Sequence, residues 1–170
     1  MGASHAIGHQ LGPLGVGHGE TSCVMLPAVC KWNWERDGNR ERQTECLEVL
    51  LKDEEVRKLV EANGLDAQKM DLGDVLDLYI RALGMPRSLE DVGVGREKLD
   101  SLAVNALKDH WIQTNPINIT EKEQVMEILR MVVETEKKDV KVPGVQVNGN
   151  GDTSGHQHGP GCDHDHDHAH

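Results

Sequence analysis

The 170-residue sequence predicts an all-α domain of about six helices, and three observations carry that expectation. Apolar residues recur at helical spacing: Val75, Leu78, Tyr79, Ala82 and Leu83 stand at i, i+3, i+4, i+7 and i+8, and Leu99, Leu102, Ala103, Ala106 and Leu107 repeat that stripe. Helix stops follow, with Gly84 and Pro86 closing the first stripe and Asn115-Pro116 turning the chain after the second. No alternation of apolar and polar residues, the period of a half-buried strand, precedes the last helix.

Residues 2–11 form the first expected helix. No N-cap signal precedes His5 and only four residues lead into it, so Met1 is expected to interrupt a longer helix. Gly12, Pro13, Gly15 and Gly17 then turn the chain. A second helix opens at about His18 and buries Val24, Met25, Ala28 and Val29, with Pro27 expected to kink it. The polar stretch from Trp34 to Arg42 reads as loop. Cys46, Leu47, Leu50, Leu51, Val56, Leu59 and Val60 mark one third helix, which Asn63-Gly64 ends as a C-cap. Its charges, Lys52 to Glu55 and Arg57-Lys58, form a solvated face.

The stripe at 75–83 is the fourth helix. Ser88 and Asp91 form a capping box for a short turn, and Gly93 and Gly95 release the chain before the stripe at 99–107. His110 and Trp111 follow it; a packed or helix-capping role is expected for His110, and no chemistry. Thr120 and Glu123 form a second box ahead of Val125, Ile128, Leu129 and Val132, a last helix that frays by about Lys138.

Three histidines sit within the first eighteen residues. His5 and His9 are four apart and share a helix face, and the following turn allows His18 to fold back toward them. Imidazole is the commonest protein ligand for a transition metal, so three nitrogens aimed at one point read as a site rather than a loosened surface helix. A zinc-protease reading fails at Ala6, where that chemistry requires a glutamate as general base.

The run His5-Ala-Ile-Gly-His9-Gln-Leu-Gly, then His18-Gly19-Glu20, Met25-Leu26-Pro27-Ala28-Val29 and Asn33, resembles the C-terminal half of the iron-containing (group III) alcohol dehydrogenases, maleylacetate reductases included. Arg87-Ser88-Leu89-Glu90-Asp91-Val92-Gly93-Val94, Asn115-Pro116 and Ile119-Thr120 are similar to the family's late helical segments, so the resemblance runs from about residue 2 to about 134. It implies the helical C-terminal domain of the dehydroquinate synthase-like, iron-containing alcohol dehydrogenase fold.

By that resemblance His5 and His18 are metal ligands, and His9 is the catalytic and cofactor-binding histidine beside the nicotinamide. The metal implied is divalent, iron first and zinc second. The family's other two ligands, an aspartate and a histidine four residues later, belong to a segment that precedes this part of the fold. So does the dinucleotide-binding domain, and NAD(P) is expected only where that domain is supplied. The implied reaction interconverts an alcohol and an aldehyde or ketone. Implied partners are a small alcohol or carbonyl substrate, with a complementing N-terminal domain or a second copy of the chain. Glu20 after His-Gly is similar to the maleylacetate reductase branch. The competing class is a non-catalytic remnant or metal-binding interaction protein that uses the tail described below.

Composition narrows the remaining classes. A net charge of −11, from 18 basic and 29 acidic residues, repels nucleic acid, and no basic cluster offsets it. With no Phe, and only Trp32, Trp34, Tyr79 and Trp111 as aromatics, there is no platform for stacking bases. No apolar run reaches the ~18 residues of a membrane span. Cys23, Cys30, Cys46 and Cys162 show no paired spacing, so reduced thiols and a cytoplasmic setting are expected, with a mitochondrial one requiring a targeting segment upstream of Met1. Domain organisation follows the same shift in composition: a helical domain over 1–138, then a Gly/Asp/His-rich tail over 139–170 that is expected to be disordered, with its interleaved His and Asp as loose metal chelators.

Overall fold

The computed structural model describes residues 2–133 and 139–144. Among these it is entirely helical: α1 (Ala3–Leu11), α2 (His18–Glu35), α3 (Arg40–Lys52), α4 (Glu54–Ala62), α5 (Leu72–Ala82), α6 (Leu99–Ala106) and α7 (Lys122–Val133), with short 3-10 turns between them. Seven helices stand where about six were expected because the third divides. Asp53 leaves helical geometry with ψ 131°, and its carboxylate accepts the Glu55 and Val56 amides at 2.9 and 3.2 Å, starting α4 anew. The expected loop at Trp34–Arg42 is also shorter. α2 reaches Glu35 and α3 begins at Arg40, because Asp37 and Asn39 adopt left-handed φ of 59° and 56° and turn the chain within four residues.

One main core collects the helix stripes. Ala3, Ala6, Ile7 and Leu11 of α1 pack with Val24, Met25, Ala28, Val29 and Trp32 of α2, with Leu102, Ala103 and Ala106 of α6, and with Val125, Ile128, Leu129 and Val132 of α7. Two smaller clusters hold α3, α4 and α5 together through Leu47, Val56 and Val75 and through Leu59, Val60 and Leu78. The approach of α1 to α2 is close at Gly8, where an added Cβ would lie 3.2 Å from the Thr21 hydroxyl oxygen. That hydroxyl donates to the His18 carbonyl at 2.8 Å.

No local side chain caps α1, and the cap comes instead from far along the chain. The Ala3 amide donates to Asn115 Oδ1 at 3.2 Å, while Asn33 and Asn115 exchange amide hydrogen bonds of 3.2 and 2.8 Å in the interior. Asn115 also donates to the Ile117 carbonyl at 2.9 Å. A buried amide costs stability unless its hydrogen bonds are made, and this pair makes them while fixing where α1 begins.

α2 runs unbroken through Pro27, whose missing N–H leaves the Cys23 carbonyl without its helical donor. Arg87 replaces that donor. Its buried guanidinium donates through Nη1 to the Cys23 and Val24 carbonyls at 2.8 and 2.9 Å, and its Nε pairs with Asp77 of α5. Ser88 and Asp91 make the expected box, each amide bonded at 3.0 Å by the other's side chain. The expected Thr120–Glu123 box does not form. Gln124 Oε1 instead accepts the Thr120 and Glu121 amides at 2.9 and 3.0 Å, and Glu123 pairs with Arg130.

Packing also extends past the boundary expected at 138. Asn63 accepts the Lys141 amide at 2.9 Å and donates to the Lys141 carbonyl at 3.0 Å, and Val140 packs on the α4–α5 cluster. Residues 145–170, where the rest of the expected tail and its chelating histidines fall, lie outside the described residues. Asn63→Ala is expected to cost about 1–2 kcal/mol, since it removes two tertiary hydrogen bonds and one helix-end bond to the Leu59 carbonyl. Urea unfolding reads this directly; an unchanged midpoint would mean that residues 139–144 add nothing to stability.

Candidate functional site

α1 and the start of α2 bring the three histidines together. The His5 and His9 rings are 4.2 Å apart between centroids, one helical turn from each other, and the His18 ring stands 5.6 Å from His5 and nearly perpendicular to it. His18 is placed by the N-terminus of α2, where the Gly17 amide donates to the Glu20 carboxylate at 3.0 Å. Glu20 therefore has a local structural task as a helix-capping residue.

A second wall comes from the 3-10 turn His110–Thr114. Trp111 lays its indole edge-on against His5, with centroids 5.6 Å apart. Asp109 opens the turn: one carboxylate oxygen accepts the Trp111 amide at 2.9 Å, and the other lies 2.8 Å from His9 Nδ1 and 3.5 Å from Gln10 Nε2. The Asp109 side chain is 14% exposed, against 40% for His9. Burial works to raise the Asp109 pKa, but the Trp111 amide and His9 outweigh it and hold the carboxyl below its ordinary value. His110 is exposed and touches the Trp111 ring edge, outside the last turn of α6, so the packed or capping role expected of it is not the one it has.

Burial, then the repulsion of His9 and His18, holds His5 below the ordinary imidazole pKa against an opposing pull from Asp109. A neutral imidazole with a free lone pair is the form that binds a metal. Among the described residues no group of three His, Cys, Asp or Glu side chains could hold a metal ion alone. The His5 and His18 rings, 5.6 Å apart between centroids and nearly perpendicular, are two imidazoles of the kind that a four-coordinate site takes as part of its ligand set.

Asp109 and Trp111 were not singled out for this site by sequence reasoning, and no local pattern could have found them: they meet the histidines across about a hundred residues of chain. A larger cleft of about 1100 Å³ between α2, α4 and α5 contains none of the histidines. Its charges are committed to each other, Lys31 with Asp71 and Asp74 at 3.1 and 2.6 Å, and Arg87 with Asp77. Cys23, Cys30 and Cys46 are free thiols, and burial, with the nearby Asp71, pushes Cys30 up to about 11, which leaves it protonated and unreactive. No helix of the described residues is long and apolar enough to cross a membrane.

Comparison with known proteins finds relatives among dehydrogenases. A dehydrogenase of Alternaria alternata, ALT3, is 46% identical over 132 residues, covering 76% of this chain and 34% of its own length. Dehydrogenase FUM7 of Gibberella moniliformis is 47% identical over 133 residues, covering 77% and 31%. Alcohol dehydrogenase 4 of Saccharomyces cerevisiae is 30% identical over 136 residues, covering 79% and 32%. The chain thus spans about a third of the length of the curated relatives it matches. Among solved structures, a 1,3-propanediol oxidoreductase superposes with a TM-score of 0.63 at 27% identity, over 78% of this chain and 32% of that one. Residues 1–133 match the model described as Fe-containing alcohol dehydrogenase family, C-terminal, and the chain belongs to that family.

Proposed function

We propose that this chain carries the metal-binding helical half of an NAD(P)-dependent alcohol or carbonyl oxidoreductase, with His5 and His18 as two ligands of a divalent metal, iron first. The observation that supports it is the gathering of three imidazoles around His5, two of them on one helix face. When bound, the metal supplies a Lewis acid for the alcohol or carbonyl oxygen and the nicotinamide exchanges the hydride. The chain's own residues do the rest. His5 and His18 offer imidazole nitrogens from two helices that approach closely at Gly8. Trp111 shields one side of His5 from water. His9, beside them but turned onto Asp109, stays out of the ligand set and orients the substrate or nicotinamide.

The fraction of the relatives' length that the chain spans sets the test. The 170-residue chain alone is expected to show no NADH or NADPH turnover with alcohols or aldehydes, because the described residues form helices without a phosphate-cradling loop and the proposed pair His5 and His18 is half of a four-coordinate metal's ligands. Turnover by this chain, abolished by His9→Ala, would overturn that expectation. A second reading is a metal-binding protein without catalysis. Complementation separates them: activity recovered on adding a family dinucleotide-binding domain supports the enzyme, and metal retention without activity supports the alternative.

A further inference from the structure

Asp109 is the most constrained polar group near the histidines, and the chain's sequence gives it no obvious task. Its two carboxylate oxygens are divided. One is held by the Trp111 amide at 2.9 Å, and that bond fixes the plane of the carboxylate; the other is aimed at His9 Nδ1 at 2.8 Å, with Gln10 Nε2 at 3.5 Å on the same oxygen. Gln10 is itself tethered to the Ala6 carbonyl at 3.1 Å, so both α1 side chains that meet Asp109 come from one helix turn. An incidental surface ion pair is exposed and mobile at both ends. This one is anchored by backbone at one end and by a helix at the other, with the carboxylate 14% exposed.

A neutral imidazole carries one N–H and one lone pair, and which nitrogen has which is decided by the partner that one of them meets. An ionised carboxylate can only accept. Asp109 therefore places the proton of His9 on Nδ1 and leaves Nε2, on the opposite edge of a ring that is 40% exposed, as an acceptor only. We propose that Asp109 is a positioning residue that fixes the orientation and tautomer of His9, so that Nε2 is presented to accept a hydrogen bond from the hydroxyl of an alcohol substrate. This rests on the proposed placement of His9 beside the reacting groups. The same 3-10 turn sets Trp111 against His5, so one short element positions both the ligand and the orienting histidine.

The tautomer is measurable without metal, nucleotide or activity. Long-range imidazole ¹⁵N–¹H correlation spectra of the ¹⁵N-labelled 170-residue chain, recorded about two pH units above the ordinary imidazole pKa, identify the protonated nitrogen of each histidine. For His9 the expected result is about a tenfold or greater excess of Nδ1–H, because a charge-assisted bond stabilises that tautomer alone. Asp109→Asn retains an oxygen for the Trp111 amide while turning an amide N–H₂ toward Nδ1, and it should convert His9 to Nε2–H with the Trp111 amide resonance in place. Asp109→Ala should lose the preference; should that variant fail to fold, Asp109→Asn carries the test. An Nε2–H tautomer in the unsubstituted protein, or an unchanged tautomer in Asp109→Asn, would overturn the inference and leave the assignment of His5 and His18 untouched. Conversely, a failed complementation would remove the enzyme reading without altering the tautomer.

Discussion

Replacing Arg87 by methionine is expected to destabilise the protein by about 3 kcal/mol, since it removes a buried guanidinium that donates to two α2 carbonyls and pairs with Asp77. For a chain of this size that corresponds to a fall in Tm on the order of 10 °C. The loss has two sources. Asp77 keeps its bond to Arg81 Nε at 2.8 Å but loses the Arg87 charge, the Cys23 carbonyl loses the donor that Pro27 made necessary, and the Val24 carbonyl loses its bond to Arg87. The second source can be isolated by a double-mutant cycle. Pro27→Ala restores an amide that can serve Cys23, so its effect should be more favourable in the Arg87→Met background than in the unsubstituted protein, by about 1 kcal/mol. A coupling of zero would remove Pro27 from the account and leave only the ion pair.

His5→Ala and His18→Ala are the changes expected to act most on chemistry. If His5 and His18 are ligands as proposed, each change in a protein complemented with a family dinucleotide-binding domain removes one of about four metal bonds, and metal content and turnover should fall together by about 100-fold or more. His9→Ala should separate the two. In the role proposed for His9, orienting reactants without a coordinate bond, the metal should stay while kcat falls. His110→Ala should change neither, its ring being exposed against the edge of Trp111. Metal analysis beside steady-state kinetics reads all four variants. Full metal retention in both the His5 and His18 variants would require the iron assignment to be withdrawn.

The helices that were legible in the sequence are those whose information is local. The stripe at 99–107 matches the buried face of α6, the stripe at 75–83 locates α5 although Tyr79 and Leu83 of that stripe are exposed, and Ser88 with Asp91 forms its box because both partners lie within one turn. The division of α3 from α4 was legible in principle. Asp53 followed by two glutamates is an N-cap signature, hidden because the charges around it read as one solvated face. Gln124 displaced Glu123 as the capping side chain at α7 because Arg130 claims the glutamate seven residues on. The cap of α1 and the Asp109–His9 pair could not be read at all. Asn115 and Asp109 reach α1 from 112 and 100 residues away, and pairing at that range is a property of the folded chain rather than of any window.

The contact at Gly8 makes the spacing of the histidines a mechanical quantity. A methyl group there would meet the Thr21 hydroxyl oxygen at 3.2 Å, tight enough that Thr21 must give by tenths of an ångström, and Thr21 is tied to the carbonyl of His18. Metal–ligand bonds tolerate displacements of only about 0.2 Å. An alanine at position 8 would thus press on the buried Thr21 and, through its hydrogen bond, on the turn of α2 that carries His18. If the His5 and His18 imidazoles hold a metal as proposed, the smallest residue in the interface is one of the parts that set the distance between them.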